Sequence, residues 1–552
     1  MSEGQPLEGA SSLPATGRIV RAAGINSLGN VASRVMGLLR EAVIAATFGA
    51  SGATSAFDAV SGVPKMVYEL LVGGMLSAAL VPVLSEYAPP ADPPASAEEE
   101  AARARKQAEL NEVLSVLLSL GGLVFLLVTA VLELGAPWIA KILVGGFDRS
   151  LLDTATLLVR LIVPSIIIYG LSGLLQAYHY ANQRFVYPAM GAPAHNLGVI
   201  IAVVLLARRL DVASLSIGIV VAALTQFLVQ LPGLRGVRLA WRFDWRHPVV
   251  RRVLGLYAPV VLSIVIQNIG IIIDRNLASR TVNEAITWMA KATFLIQLPL
   301  GLVSMAISLA VLPTLSQMDA RAALEAFKRT FSRGLRLVIV LIIPAGVGLA
   351  VLGRPIIALI FEHGAFTPAD SLGTWQALRL YLLGLPFAAI DLPLIFAFYA
   401  QKDTLTPVIV GIIAVVIYLI VGPTLAFALG WGYLGLVMAN SAQLAAHALI
   451  MLVLFRRRFG SLGGFGVLRA TGQALLGSLP LAGLSWVALR VLEPILPHGF
   501  IGEVALVTLC GGAGAVGYAI AMRALHMEEW EMLQRALVGR WRPKGFRGEP
   551  SR

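Results

Sequence analysis

The sequence predicts an all-α, polytopic membrane protein of about fourteen transmembrane helices, arranged as two parallel six-helix lobes plus two extra C-terminal helices. Three observations predict it. The composition is 57% hydrophobic and only 13% charged, with mean hydropathy +0.80, whereas a soluble domain carries roughly twice that charge. Apolar runs of about twenty residues, each long enough to cross a bilayer core, recur along most of the chain. The basic residues gather in alternate loops, as membrane topology demands.

Read against their breakers, the apolar runs give spans near 20–48, 56–86, 110–134, 153–181, 185–207, 212–232, 251–279, 284–315, 332–352, 373–400, 405–429, 432–455, 468–490 and 500–523. Residues 90–107 read as a Pro/Ala/Glu-rich loop and 525–552 as a charged tail. The first seventeen residues carry no lysine or arginine, so they lack the basic start of a secretory signal, and 1–18 is expected to be a cytoplasmic tail. With the N-terminus inside, the inside segments hold Arg103, Arg105 and Lys106, the run Arg235, Arg238, Arg242, Arg246, Arg251 and Arg252, and the group Arg321, Lys328, Arg329, Arg333 and Arg336. Arg456, Arg457 and Arg458, then Arg540, Arg542, Lys544 and Arg547, continue the series. Outside segments keep isolated cases: Lys141, Arg149, Arg208, Arg209, Arg280, Arg354 and Arg490. Both termini are therefore placed in the cytoplasm.

The chain also resembles itself at an offset near 225 residues. Pro82 and Leu84 at the end of the second span stand against Pro313 and Leu315 at the end of the eighth, and Ala181 to Pro188 face Ala400 to Pro407; the two offsets are 231 and 219. Six spans per repeat is an even number, so the halves share one orientation. Parallel repeats of this kind belong to transporters and place the substrate site between the halves. The expected organisation is a lobe at 19–232, a basic linker at 233–250, a second lobe at 251–457, extra helices at 466–524 and the tail from 525.

Several classes fall away. A net charge of +12 invites a nucleic-acid reading in a soluble protein, but here the charge lies in short loops between spans. The single cysteine, Cys510, allows neither an internal disulfide nor a cysteine metal cluster, and the seven histidines lack ligand spacing. With no nucleotide-binding glycine loop either, no cofactor, metal or catalytic residue is expected. A polyprenyl-dependent glycosyltransferase needs a loop-borne acidic pair; the one acidic run, Glu98-Glu99-Glu100, sits in a Pro/Ala-rich loop and reads as solvated.

The charges inside spans are the functional candidates, because each costs several kcal/mol in lipid unless it faces water or a partner. The first span has Arg34, Arg40 and Glu41; Arg34 and Glu41 are seven residues apart on one helix face, a spacing that allows them to pair. Asp58, Lys65 and Glu69 share a face of the second span, Asp274 and Arg275 lie in the seventh, Lys291 in the eighth. Asp391 stands alone in the tenth and reads equally well as a structural hydrogen-bonding residue. Arginine and lysine in a wet cleft suit an anion, arginine especially a phosphate. The neighbouring acids hold the empty cleft near neutrality, and a drug exporter calls for a more acidic, aromatic cavity.

At these residues the chain resembles the MviN/MurJ family of lipid II flippases, within the multidrug/oligosaccharidyl-lipid/polysaccharide exporter superfamily. The motifs are Ser33-Arg34-Val-Met-Gly37-Leu-Leu-Arg40-Glu41 with Phe48-Gly49, and Arg184-Phe185 with Pro188-Ala189, Pro193 and Asn196. Asp274-Arg-Asn-Leu-Ala-Ser279, Gln297-Leu-Pro299-Leu-Gly301, Phe361-Glu-His-Gly-Ala-Phe-Thr367 and Phe398-Tyr399-Ala400 with Asp403-Thr404 and Thr406-Pro407 complete the set. The resemblance implies a central cationic cavity for a diphosphate-sugar headgroup, a polyprenyl tail left in lipid, and alternation between inward- and outward-open states coupled to an ion or to membrane potential. It implies a bacterial cytoplasmic membrane location, and as partners a lipid-linked diphosphate-sugar, membrane lipids and proteins of cell-wall synthesis. Arg34 and Arg40 match the family's first-span arginines and Asp58 its second-span acid. The expected substrate-binding set is Arg34, Arg40, Glu41, Asp58, Lys65, Glu69, Asp274, Lys291 and Gln297. Two departures stand out: Tyr68-Glu69 replaces an arginine pair and Phe294 an arginine, with Lys65 and Lys291 one turn earlier in each case. Another lipid-linked oligosaccharide as substrate, or a non-transporting scaffold of wall synthesis, are the alternatives these departures leave open.

Overall fold

The computed structural model describes residues 15–73, 76–90, 96–318, 323–497 and 499–538. Arg540, Arg542, Lys544 and Arg547, Arg321, and most of the expected N-terminal tail lie outside the described residues. Every regular element described is helical. In chain order these are α1 (Ala15–Phe48), α2 (Gly52–Val60), α3 (Gly62–Tyr68), α4 (Val81–Tyr87), α5 (Ala97–Leu134), α6 (Ala136–Val144), α7 (Arg149–Ile162), α8 (Ser165–Ala181), α9 (Val186–Leu210) and α10 (Ala213–Leu228). There follow α11 (Pro248–Ala278), α12 (Ala285–Pro299), α13 (Met305–Ser316), α14 (Leu324–Phe361), α15 (Pro368–Ala400), α16 (Leu405–Pro423), α17 (Tyr433–Phe459), α18 (Val467–Leu492), α19 (Phe500–Ala524) and α20 (Glu528–Val538).

Among the described residues, eleven helices are long and apolar enough to cross a membrane, and each coincides with an expected span. Three expected spans are outside that set. Two of them, 20–48 and 251–279, are covered by α1 and α11, of 34 and 31 residues. The third, 56–86, is broken into α2, α3 and α4, with π-helical turns at Glu69–Gly73 and Leu76–Leu80 between α3 and α4. A helix of the second half breaks in the same way, with a π-helical turn at Leu300–Ser304 between α12 and α13. From Glu69 to Leu300 is 231 residues, the separation of Pro82 from Pro313. The repeat thus extends to a backbone irregularity that apolar pattern alone does not encode, and such π-turns gather at functional positions.

Sharp starts follow capping chemistry. Ser51 Oγ accepts the Thr54 N–H at 3.2 Å while Thr54 Oγ1 accepts that of Ser51 at 2.7 Å, satisfying two amide donors at the head of α2. Thr367 and Asp370 repeat the arrangement at the head of α15, where Pro368 occupies the first turn and needs no donor.

The chain divides into two compact units, Met1–Thr287 with His363–Phe366, and Trp288–Glu362 with Thr367–Arg552. The first contains α11, which the sequence reading assigned to the second lobe. Its attachments explain the placement: Arg252 makes a two-pronged ion pair with Glu86 at 2.6 and 2.7 Å, and Asn276 Nδ2 donates to the Ile142 carbonyl at 2.9 Å. The core of this unit is aliphatic, with Leu80, Leu84, Leu110, Leu114 and Leu174 buried around Tyr178. The second unit is built on an aromatic stack, Phe331 on Phe455 at 4.5 Å between ring centroids, with Phe327, Phe398 and Phe459 beside it. Large apolar side chains remain exposed along the helices, among them Leu475, Leu476, Leu479 and Trp486 on α18. On a membrane helix that surface is the one lipid covers.

Candidate functional site

Four of the sequence candidates converge on one cavity within the first unit. It encloses about 430 Å³ and is walled by Arg40 and Glu41 from α1, Asp58 from α2, Lys65 and Tyr68 from α3, Tyr169 from α8 and His195 from α9. The Arg40 guanidinium is clamped from two sides, Nη2 lying 2.6 Å from Glu41 Oε1 and Nη1 donating to Asn196 Oδ1 at 3.0 Å. Asn196 Nδ2 in turn donates to the Ser33 carbonyl at 3.1 Å, so one amide side chain ties α9 to α1 and aims the arginine. Asp58 Oδ2 accepts from Thr287 Oγ1 at 2.9 Å, and Thr287 is itself bonded to Ser55 at 3.2 Å. Two cations and two carboxylates therefore share the wall, with Lys65 the exposed member. An anion placed about 4 Å from the guanidinium gains on the order of 4 kcal/mol at an effective dielectric of about 20.

Glu41 pairs with the adjacent Arg40, and half-buried Arg34 does not line the cavity. Adjacent residues on a helix diverge by about a quarter-turn, but both side chains lean into the same polar space, which a face-by-face reading does not anticipate. Glu69 heads the π-helical turn outside the cavity lining, and half-buried Asp274, on α11, is not among the residues that line it. Lys291 belongs to the second unit, 2% exposed, its ammonium 5.8 Å from the centre of the Phe361 ring. Gln297 is exposed in that unit. Asp391 is a structural hydrogen-bonding residue, its Oδ1 2.8 Å from His447 Nδ1.

The sequence reading passed over Tyr169 and His195, whose side chains meet at 2.6 Å in the cavity wall with rings stacked at 5.8 Å. The signal was present. A histidine beside Asn196 inside an apolar helix is an intramembrane ionisable group, as much a suspect as the arginines, but it was judged by metal-ligand spacing. Gln226 of α10, which also lines the cavity, carried no such signal. Among the described residues no group of three or more His, Cys, Asp or Glu gathers around one point.

Two motifs far apart in sequence meet in the same unit. The Ala365 N–H donates to the Ala46 carbonyl at 2.8 Å, and Gly49 and Gly364 both have positive φ, +63° and +60°. A Cβ on Gly49 falls 2.4 Å from the Ala365 carbonyl oxygen, and one on Gly364 falls 2.2 Å from that of Ala46. Glycine is needed at both positions for backbone angle and for space.

Comparison with known proteins places this arrangement. The profile described as "Lipid II flippase MurJ" matches residues 44–505. A Vibrio cholerae protein named probable lipid II flippase MurJ is 29% identical over 513 residues, covering 91% of this chain and 95% of its own length. The Burkholderia cenocepacia lipid II flippase MurJ is 28% identical, covering 83% and 88%. Among solved structures, a lipid II flippase MurJ in an inward closed conformation superimposes with TM-score 0.71 at 23% identity, over 91% of this chain and 99% of that one. An inward-facing MATE-family multidrug transporter shares the fold at TM-score 0.62 and 12% identity, over 78% and 96%. A multi-pass helical chain matched over most of its length by one family profile, and by relatives covered nearly end to end, belongs to the lipid II flippase MurJ family.

Proposed function

We propose that this protein moves lipid II, a polyprenyl-diphosphate-linked peptidoglycan precursor, across the bacterial inner membrane by alternating access, and that the first-unit cavity receives the diphosphate. The observation that carries the site assignment is the clamped guanidinium of Arg40. Its forked donors suit phosphate oxygens, and it is aimed by Asn196 before any substrate arrives. In the empty state Glu41 neutralises the arginine. An entering phosphate displaces that carboxylate from Nη2, so the cost of desolvating the arginine is already met. Asp58 and Lys65 set the charge on the facing wall, while the polyprenyl chain stays in hydrocarbon, where its burial costs nothing. Nothing is made or broken in the substrate; the task is to carry a charged headgroup past a barrier that excludes it. The positive-inside distribution supports cytoplasmic termini.

The test is replacement of a bacterial host's own lipid II flippase under depletion. The expected result is restored growth, with Arg40→Ala protein present at normal level failing to restore it. Growth restored equally by Arg40→Ala sinks the site assignment, and failure of the unaltered chain to replace the flippase sinks the substrate. One observation favours a second reading, a different lipid-linked oligosaccharide: Tyr68-Glu69 and Phe294 stand where the resemblance places arginines. Export assays with lipid II and with an undecaprenyl-linked polysaccharide unit separate the two.

A further inference from the structure

A second cavity, of about 340 Å³, opens in the second unit, lined by the N-terminal part of α14, the start of α18 and the start of α20. Four arginines line it, Arg329, Arg333 and Arg336 from α14 and Arg469 from α18, against two glutamates, Glu528 and Glu529. The glutamates are spent on one arginine: Arg336 Nη2 lies 2.8 Å from Glu528 and Nε 2.9 Å from Glu529, which is 2% exposed. Arg329, Arg333 and Arg469 are exposed and form no ion pair among the described residues. Arg336 and its two acids thus form a brace with one negative charge in excess, and the three other arginines outweigh it and leave the cavity cationic.

Two further features point to an anion. Ser332 lines the cavity, is 1% exposed, and its hydroxyl has no hydrogen-bond partner among the described residues. A buried hydroxyl left without a partner is costly, a cost that a ligand oxygen removes. The first turn of α18, a 26-residue helix, also faces this space through Gly466, Arg469 and Ala470, bringing unsatisfied amide donors and the positive end of the helix dipole. Arginine forks, a serine hydroxyl and amide donors together make a phosphate site.

The surroundings choose the source of the phosphate. Both α14 and α18 are membrane-crossing candidates, and the cavity sits at their ends, the depth at which lipid headgroups lie. Leu468, 82% exposed and next in sequence to the lining residue Arg469, presents an apolar surface suited to an acyl chain. The geometry points to a binding site for the headgroup phosphate of an anionic phospholipid, separate from the transport cavity.

The test uses the full-length protein in nanodiscs of phosphatidylcholine with added phosphatidylglycerol, reading retained lipid by native mass spectrometry. Phosphatidylglycerol is expected to be retained in preference to phosphatidylcholine, and millimolar inorganic phosphate is expected not to displace it. Each arginine removed is expected to weaken retention about fivefold, so R333Q/R469Q weakens it about twenty-fivefold, the equivalent of ~1 kcal/mol per basic group at an anionic membrane surface. R456Q/R457Q removes the same charge from the exposed end of α17, outside the cavity, and is expected to leave retention unchanged. Equal losses in the two double variants reduce the effect to diffuse surface attraction and overturn the site, as does an unaltered protein with no preference for phosphatidylglycerol. Displacement by inorganic phosphate alone overturns the lipid as its occupant. Should R333Q/R469Q fail to fold, R469Q, at an exposed first-turn position, decides the matter by its fivefold effect or the lack of it.

Discussion

Arg40 illustrates how one residue's role depends on neighbours that sequence spacing does not reveal. Its charge, inside an apolar helix, was legible as functional because lipid penalises it; its partners were not, because Asn196 lies 156 positions away. The hydrogen bond from Arg40 to Asn196 separates charge from aim. Arg40→Ala removes both, and is expected to abolish transport measurably above background. Asn196→Ala leaves the charge but loses a charge-assisted hydrogen bond of about 1.5–3 kcal/mol, so transport is expected to fall at least tenfold with the protein still inserted. An Asn196→Ala rate equal to that of the unaltered protein, measured by a lipid II export assay, counts against the positioning role. Lys65 and Lys291 show where residue-level reading stops. Both sit one turn before a position where the family pattern has arginine, yet Lys65 is exposed at a cavity and Lys291 is 2% exposed beside an aromatic ring. The same spacing led to two environments because side-chain reach and local packing decide where an ammonium ends.

Elements were read well where apolar pattern alone forms them and poorly where the backbone departs from it. The eleven apolar helices match expected spans because length and hydropathy suffice to define them. The second span read as one apolar run interrupted only by charges such as Asp58, Lys65 and Glu69, and nothing in that pattern encodes the π-helical turns at Glu69–Gly73 and Leu76–Leu80. Motif residues outside the cavity do structural work that the resemblance alone left unspecified. Gly364 is one: Gly364→Ala forces a side chain into a positive-φ position and against the Ala46 carbonyl, so a loss of at least ~1–2 kcal/mol is expected. A melting temperature unchanged from that of the unaltered protein contradicts this account. Asp403 is another. In the loop before α16 its carboxylate accepts the Thr406 N–H at 3.0 Å and the Thr406 hydroxyl at 2.8 Å, and pairs with Arg458. Burial pushes the carboxyl up, but the bonds from Thr406 and the Arg458 charge outweigh it and hold the group below the ordinary aspartate range. A depressed pKa contributes stability above the unfolded value and loses it as pH falls through the folded one. Asp403→Asn is therefore expected to lower stability at neutral pH and to narrow its gap from the unaltered protein in acid, and a gap constant with pH argues against the linkage.

At the scale of the whole molecule, the alternation of basic and neutral loops is a count of crossings as much as a statement of orientation. The count rests most heavily on α11, whose 31 residues are helical but which is not among the eleven apolar candidates. It also packs with the first unit, although the repeat pattern pairs it with the second half. Cysteine labelling isolates the question. Cys510 is fully buried, and Cys510→Ala provides a background without reactive thiols. Ser96, Ser150 and Ser461 are exposed, in the connections before α5, at the start of α7 and after α17. Ser96 and Ser150 are separated by one span, α5, so they belong on opposite faces. Between Ser150 and Ser461 lie the rods from α7 through α17, an odd number if α11 crosses and an even one if it does not. With α11 crossing and the basic loops inside, Ser150→Cys is expected to react with a membrane-impermeant thiol reagent on intact cells. Ser96→Cys and Ser461→Cys are expected to react only after permeabilisation. Labelling of Ser461→Cys together with Ser150→Cys on intact cells means that α11 does not traverse the bilayer, and the two halves then lose their common orientation. Labelling of Ser96→Cys and Ser461→Cys but not Ser150→Cys keeps the crossing and reverses the protein, against a bias of basic residues worth several kcal/mol. The two failures differ in pattern, so the experiment distinguishes an error in the number of spans from an error in the direction of insertion.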